Sequence, residues 1–335
     1  MGEKTAISWT DHTWNPWIGC TKVSPGCMNC YADRQNQRYH WTPGWGPGQE
    51  RHITGAGNWS EPLRWAKKAR MSGRREKVFC ASLADVFDHE APIFARRSLW
   101  QIIRSTSDIL DWQLVTKRPH RIELVMKEDG LDADFFLNNR VWLITSTENQ
   151  EWFDKRVPVL LKIPAAVHGI SAEPLLGAID ARKYLRPNPC PDCNGFPSIP
   201  VPGEKGGYKP CPACLLSNNG QGYTNSLVWV IAGGESQSGA RPMHPDWSRS
   251  LRDQCLEAGV PFFFKQWGEW IEIGTGGTQA VLDSKKRLIS FDGHVSACVT
   301  DIQHGSTDRL VTQIGTKTSG STLDGKEWKQ FPKVA

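Results

Sequence analysis

Short runs of apolar, β-branched and aromatic residues recur along the chain at Val78 to Ser82, Trp112 to Thr116, Val141 to Ser146, Val167 to Ser171, Val228 to Ala232 and Pro261 to Phe264. An earlier run, Thr13 to Gly19, has the same character. Their length and near-continuous hydrophobicity predict strands buried on both faces. Between them lie stretches with helical patterning: Tyr31 to His40, Pro92 to Ser107, Pro119 to Met126, Asn149 to Val157 and Pro245 to Ala258. Strands alternating with helices predict an α/β fold of βα units on a parallel sheet. That many units fit a partial or full (βα) barrel, with an open doubly wound sheet as the alternative.

Nearly every predicted strand ends in polar residues: Ser-Leu-Ala-Asp-Val-Phe (82 to 87), Thr-Lys-Arg-Pro (116 to 119), Ser-Thr-Glu-Asn (146 to 149), Ser-Ala-Glu-Pro (171 to 174), Gly-Gly-Glu-Ser (233 to 236) and Lys-Gln-Trp-Gly (265 to 268). For any single strand this is an ordinary loop start. In series it predicts a shared site at the carboxyl rim of a barrel.

Two interruptions set the domain boundaries. Residues 186–226 are rich in Pro, Gly and Asn and predict an insertion within a barrel spanning 1–268. From 269 to 335 Gly, Ser, Thr and Lys dominate, which predicts a small β-rich C-terminal appendage. The segment 41–60, with Pro43, Gly44, Gly46, Pro47 and Gly48, reads as a long loop.

Composition then narrows the class. Of 335 residues, 39% are hydrophobic and 22% charged, which excludes wholesale disorder. No apolar window is long enough to span a bilayer, so no membrane partner and a cytoplasmic location are expected. A net charge of +5 permits a nucleic-acid partner without requiring one. The basic stretch Lys67, Lys68, Arg70, Arg74, Arg75, Lys77 is either a phosphate-binding face or a solvated helix. Most of the 16 tryptophans are expected in the core or in loop packing, and Trp41 and Trp45 in the Gly/Pro loop are candidates for base stacking.

Seven of the 10 cysteines fall into two clusters, which in a reducing compartment points to metal. Cys190, Cys193, Cys211 and Cys214 form two CxxC knuckles 17 residues apart, the pattern of a closed four-thiolate site. Structural zinc is the expected metal, with iron in the same cage as the rival. The insertion has too few apolar residues for its own core, so metal would supply its folding energy. Cys20, Cys27 and Cys30 form CxxxxxxCxxC on a loop after the first strand. Three thiolates suit a 4Fe-4S cluster with one iron free of protein ligands, whereas zinc would need His12 or His40 as a fourth. Radical S-adenosylmethionine enzymes use such a triad facing a barrel mouth. The six-residue first gap is longer than their common three, and Asn29 replaces the aromatic that usually precedes the last cysteine.

Several stretches together resemble a phage family of three-cysteine-motif, radical S-adenosylmethionine-like proteins: Thr-Trp-Asn-Pro-Trp-Ile-Gly-Cys (13 to 20), Gly-Cys-Met-Asn-Cys-Tyr-Ala (26 to 32), Ile-Ser-Ala-Glu-Pro-Leu-Leu-Gly (170 to 177) and Phe-Lys-Gln-Trp-Gly (264 to 268). Ser-Leu-Ala-Asp-Val-Phe, Leu-Val-Thr-Lys-Arg-Pro (114 to 119), Ala-Gly-Gly-Glu-Ser (232 to 236) and Leu-Asp-Gly-Lys-Glu-Trp (323 to 328) extend the match over nearly the whole chain. The resemblance implies a partial barrel, a 4Fe-4S cluster, S-adenosylmethionine and an electron donor such as a host flavodoxin. Gly233 and Gly234 would let the backbone approach that cofactor and Glu235 would hold its ammonium, with Ser82 and Asp85 as the alternative. Lys117 and Arg118 would meet a carboxylate or phosphate. Glu148, Glu173 and Lys265 would orient substrate or move protons, or form rim salt bridges. The expected activity is radical isomerisation or other modification of a hypermodified thymine in phage DNA, which evades restriction. Radical repair or modification of other DNA or RNA nucleotides is the rival enzyme reading. A non-catalytic iron–sulfur and zinc nucleic-acid-binding protein is the rival outside enzymes.

Overall fold

Seven strands pair in chain order, all in parallel: β1 (His12–Trp14), β2 (Glu76–Cys80), β3 (Leu110–Thr116), β4 (Val141–Ser146), β5 (Val167–Ala172), β6 (Trp229–Gly233) and β7 (Phe262–Gln266). The computed structural model describes residues 5–185, 198–200, 208–210, 226–273, 285–296 and 307–334. Among the described residues β1 and β7 do not pair, so the sheet is a partial barrel rather than a closed one. The longer helices are α1 (Tyr31–Tyr39), α2 (Ala56–Ser72), α3 (Ile93–Thr106), α4 (Ile122–Asp129), α5 (Gln150–Leu160) and α6 (Pro245–Glu257).

Both faces of the strands are buried, which is why their sequences read as apolar runs rather than alternations. Outward residues Val78, Trp112, Leu114, Val141 and Leu143 share a core with Trp65, Leu99 and Ile103 from the helices. Inward residues Phe79, Trp142, Ile144, Trp229, Ile231 and Phe263 fill the lumen with Trp9. The lumen is therefore a packed floor, each of its large side chains stabilising the fold by about 1.5–3 kcal/mol. Residues beyond both edges complete that floor: Trp9 lies 4.7 Å from Phe79, and Phe331 lies 5.4 Å from Phe263, centroid to centroid.

The edge strand β7 is covered. Phe264 N donates to Trp328 O and Gln330 N to Phe262 O, so the C-terminal segment adds a short antiparallel partner. Before this return, strands β8 (Trp270–Glu272), β9 (Lys286–Ile289), β10 (Val295–Ser296) and β11 (Arg309–Gln313) form an antiparallel sheet in the order β8-β11-β9-β10. Arg249 of α6 ties it down, bonding Glu272 at 2.6 Å, while Trp247 Nε1 donates to Phe291 O at 2.8 Å.

Two expectations need correction. The run 13–19 splits into β1 and a two-residue strand, Trp17–Ile18, which pairs antiparallel with His52–Ile53. The segment 41–60 is not all loop, because α2 begins at Ala56. Gly55, Gly57 and Pro62 hide this helix in the sequence, and burial of Trp65, Ala66 and Ala69 holds it in place. The four cysteines of the expected zinc site lie outside the described residues.

Candidate active site

The carboxyl ends of the strands enclose a cavity of about 850 Å³. The loop after β1 lines it with Cys20, Cys27 and Cys30. β2 and β3 lead into Ser82, Asp85 and Lys117, β4 and β5 into Ser146, Ser171 and Glu173, and β6 and β7 into Gly234, Glu235 and Lys265. Parallel pairing points every strand the same way, so the polar residues that end each run converge on one rim.

The three cysteines are half-buried and unbridged. Burial pushes the Cys20 thiol up to about 12, Asp85 adding to the shift and Arg118 opposing it. Burial also raises Cys30, against backbone N–H groups and Lys117. The Cys20 and Cys30 thiols are therefore held protonated at neutral pH, and metal binding there would release those protons. Three thiols lining one cavity are the donor set that suits an iron–sulfur cluster with one iron free of protein ligands.

Long-range bonds hold the loop that presents them. Ser24 Oγ donates to Glu148 Oε1 at 2.5 Å, and Arg156 Nη1 donates to Glu148 Oε2 at 2.8 Å. A Cβ on Gly26 would lie 2.3 Å from that carboxylate, so glycine is what lets the loop sit on Glu148. On the other side Asn29 Nδ2 donates to Glu235 Oε2 at 2.9 Å, and Arg241 Nη2 reaches Pro25 O at 3.0 Å. Tyr31, its phenol raised by burial, anchors the start of α1 on Ser82 O.

These bonds reassign several expected roles. Glu148 is fully buried under the cysteine loop and does not line the cavity, so it positions the loop and is not a catalytic group. Glu235 lines the cavity, but its carboxylate is taken by Asn29 and by Arg241 Nε at 2.9 Å, which displaces the ammonium role. Gly234 is required by packing rather than by a ligand: a Cβ there would lie 1.9 Å from Trp267 O. A Cβ on Gly233 would meet Gln266 O at 3.3 Å. Asp85 accepts from Thr116 Oγ1 at 2.8 Å, Lys117 N at 3.1 Å and Arg118 Nη1 at 2.9 Å, so it braces the rim. Ser82 Oγ accepts from Asn15 Nδ2 at 2.9 Å. Glu173 and Lys265 do meet in the cavity, Nζ to Oε1 at 2.7 Å, with Gln266 Nε2 at 3.2 Å. Lys117 lines the cavity half-buried.

Sequence reasoning missed Arg118 as a neighbour of the triad. Its guanidinium is 3% exposed, donates to Cys20 Sγ at 3.6 Å, and is held by Asp85. The basic stretch also changes meaning. Arg70 forks onto Asp108, Arg74 pairs with Asp11 at 2.8 Å, and Arg75 with Asp111 at 3.2 Å. Their partners stand at the amino ends of β1 and β3, the end of the barrel opposite the cavity. They are a solvated, ion-paired face.

Comparison with known proteins places the chain as follows. No curated protein matches the sequence. Among solved structures it is similar to a cysteine-to-serine mutant of spore photoproduct lyase, at 15% identity and a TM-score of 0.35 over 51% of this chain and 47% of that one. A double mutant of the same lyase, with bound AdoMet and dinucleoside spore photoproduct, matches at 13% identity and a TM-score of 0.36 over 53% and 49%. The chain thus spans about half the length of each lyase chain it matches. Residues 4–332 match the family described as protein of unknown function, DUF5131, and the chain belongs to that family.

Proposed function

We propose that this protein is an iron–sulfur radical enzyme that uses S-adenosylmethionine to modify a nucleobase. The observation behind this reading is the placement of Cys20, Cys27 and Cys30 on one wall of a cavity ringed by the polar carboxyl ends of a parallel partial barrel. When bound together, the cluster and S-adenosylmethionine supply a carbon-centred radical able to abstract an unactivated hydrogen. The chain's own residues do the rest. Cys20, Cys27 and Cys30 would hold three irons of the cluster, and the Glu148 and Glu235 contacts fix their loop. Lys117 offers its ammonium to a carboxylate beside Cys30. The Glu173–Lys265 pair, set on the wall made by β5 and β7, orients a polar substrate edge and holds a proton at Nζ. Trp9, Phe79, Trp41 and Trp45 give the same cavity an apolar, aromatic lining suited to a flat base.

The finer reading is isomerisation of a hypermodified thymine in phage DNA; the sequence resemblance names no substrate, and the phage kinship it implies is the support. Moving a substituent from nitrogen to carbon within one base needs no external oxidant, so a radical generator alone suffices. The test is anaerobic reconstitution with iron and sulfide, then S-adenosylmethionine and a one-electron reductant. Formation of 5′-deoxyadenosine that is lost when any one of the three cysteines becomes Ala is expected. No cleavage by the fully loaded wild type would leave the iron–sulfur nucleic-acid-binding protein as the reading. Mass spectrometry of nucleosides from DNA exposed to the enzyme identifies the base.

A further inference from the structure

The cavity opens beside a surface that the proposed chemistry does not use. α1 ends at His40 in the left-handed conformation (φ 51°), which turns the chain back so that Trp41 enters the cavity wall while Tyr39 stays outside, 54% exposed. The two rings stack with centroids 5.1 Å apart and planes inclined by 26°. The guanidinium of Arg38 sits 5.3 Å from the Tyr39 centroid and, among the described residues, forms no ion pair. The turn is fixed from within: buried Asn36 accepts from Thr42 N at 2.9 Å and donates to Thr42 O at 3.2 Å. An exposed tyrosine is thus held on a tryptophan at the lip of the cavity, beside a guanidinium that lies over its ring and, among the described residues, has no acidic partner.

We propose that Arg38, Tyr39 and Trp41 form a ledge for one strand of nucleic acid, a flanking base stacking on Tyr39 and its phosphate meeting Arg38. This rests on the reading that the reacting base enters the cavity. Aromatic faces paired with arginine are how single strands are held without sequence readout. A base displaced from a duplex also leaves neighbours that need such a platform. The ion-paired Arg70 and Arg74 at the far end of the barrel are in no position to serve.

The test is fluorescence anisotropy of the full chain with a labelled thymine-rich oligonucleotide, single-stranded and duplex, over a salt series. Tyr39→Ala should weaken single-strand binding roughly 5- to 150-fold, the range for one stacked base, and Tyr39→Trp should retain it. Arg38→Ala should reduce the salt slope by about 0.7 to 1. Arg74→Ala should change neither. Tyr39 and Arg38 are exposed, so circular dichroism should show all variants folded. Unchanged affinity in Tyr39→Ala and Arg38→Ala, a loss in Arg74→Ala as large as theirs, or no binding by wild type at low salt would overturn the ledge. So would intact oligonucleotide affinity with slower reduction by an acidic redox protein, which would give the face to that partner. S-adenosylmethionine cleavage is measured separately, so the ledge can fail while the radical reading stands.

Discussion

Replacing Glu148 with Ala separates a positioning role from a catalytic one. The Glu148 and Arg156 side chains are 0% and 3% exposed and meet at 2.8 Å. Removing the carboxylate strands a buried guanidinium whose Nε and Nη2 already have no hydrogen-bond partner among the described residues. Breaking a buried pair in this way costs about 3–5 kcal/mol. For 335 residues, an unfolding entropy of about 2.1 cal/mol/K per residue converts this to a fall in melting temperature of about 4–7 °C. The double variant Glu148→Leu/Arg156→Met removes both charges and should recover most of that stability, since apolar replacement of a buried pair is often neutral or better. It does not restore the acceptor for Ser24 Oγ, so the cysteine loop stays loose and iron content after reconstitution stays low. Differential scanning calorimetry and iron analysis on the three proteins decide the matter. A single variant melting within about 1 °C of wild type, or a double variant that loads iron fully, would refute the reasoning.

Gly234→Ala drives a Cβ into the Trp267 carbonyl at 1.9 Å, backbone against backbone, and should destabilise by about 3 kcal/mol or more in urea unfolding; an ordinary surface-like effect would show that this crossing is not tight. Asp129 is buried, which works against its charge, but Arg96, Trp100 and Arg97 outweigh burial and hold its carboxyl below the usual range. Its contribution is therefore complete above about pH 4 and lost as pH falls towards the folded value, so the stability gap to Asp129→Asn should be constant from pH 5 to 7 and close below about pH 4. A gap independent of pH down to 2.5 would contradict this. Elemental analysis should find zinc that Cys211→Ser releases, with the iron at Cys20, Cys27 and Cys30 retained; zinc unaffected by that change would exclude the four-thiolate site.

The strands were legible because residues buried on both faces leave continuous apolar runs, and Val141 to Ser146 is a strand of the same bounds in sequence and structure. The cavity rim was legible for a related reason: parallel strands all point one way, so whatever follows each run must gather at one end. The cysteine triad was legible as a cluster, and the fold sets all three residues on the wall of that cavity. What sequence could not assign was the work of individual charges. Glu148, Glu173 and Glu235 each follow a strand in the same pattern, yet one is sealed under a loop, one meets a lysine in the cavity and one is consumed by an arginine and an asparagine. Their partners are set by the fold: Ser24 is 124 residues from Glu148, and Asn29 is 206 from Glu235. In the basic run, too, the partners come from afar: Arg70 and Arg74 meet Asp108 and Asp11, which lie just ahead of other strands. Hydrophobic periodicity and strand direction are set by neighbours along the chain. Whether a carboxylate is free, paired or buried depends on which distant groups packing brings within 3 Å, and only the tertiary structure decides that.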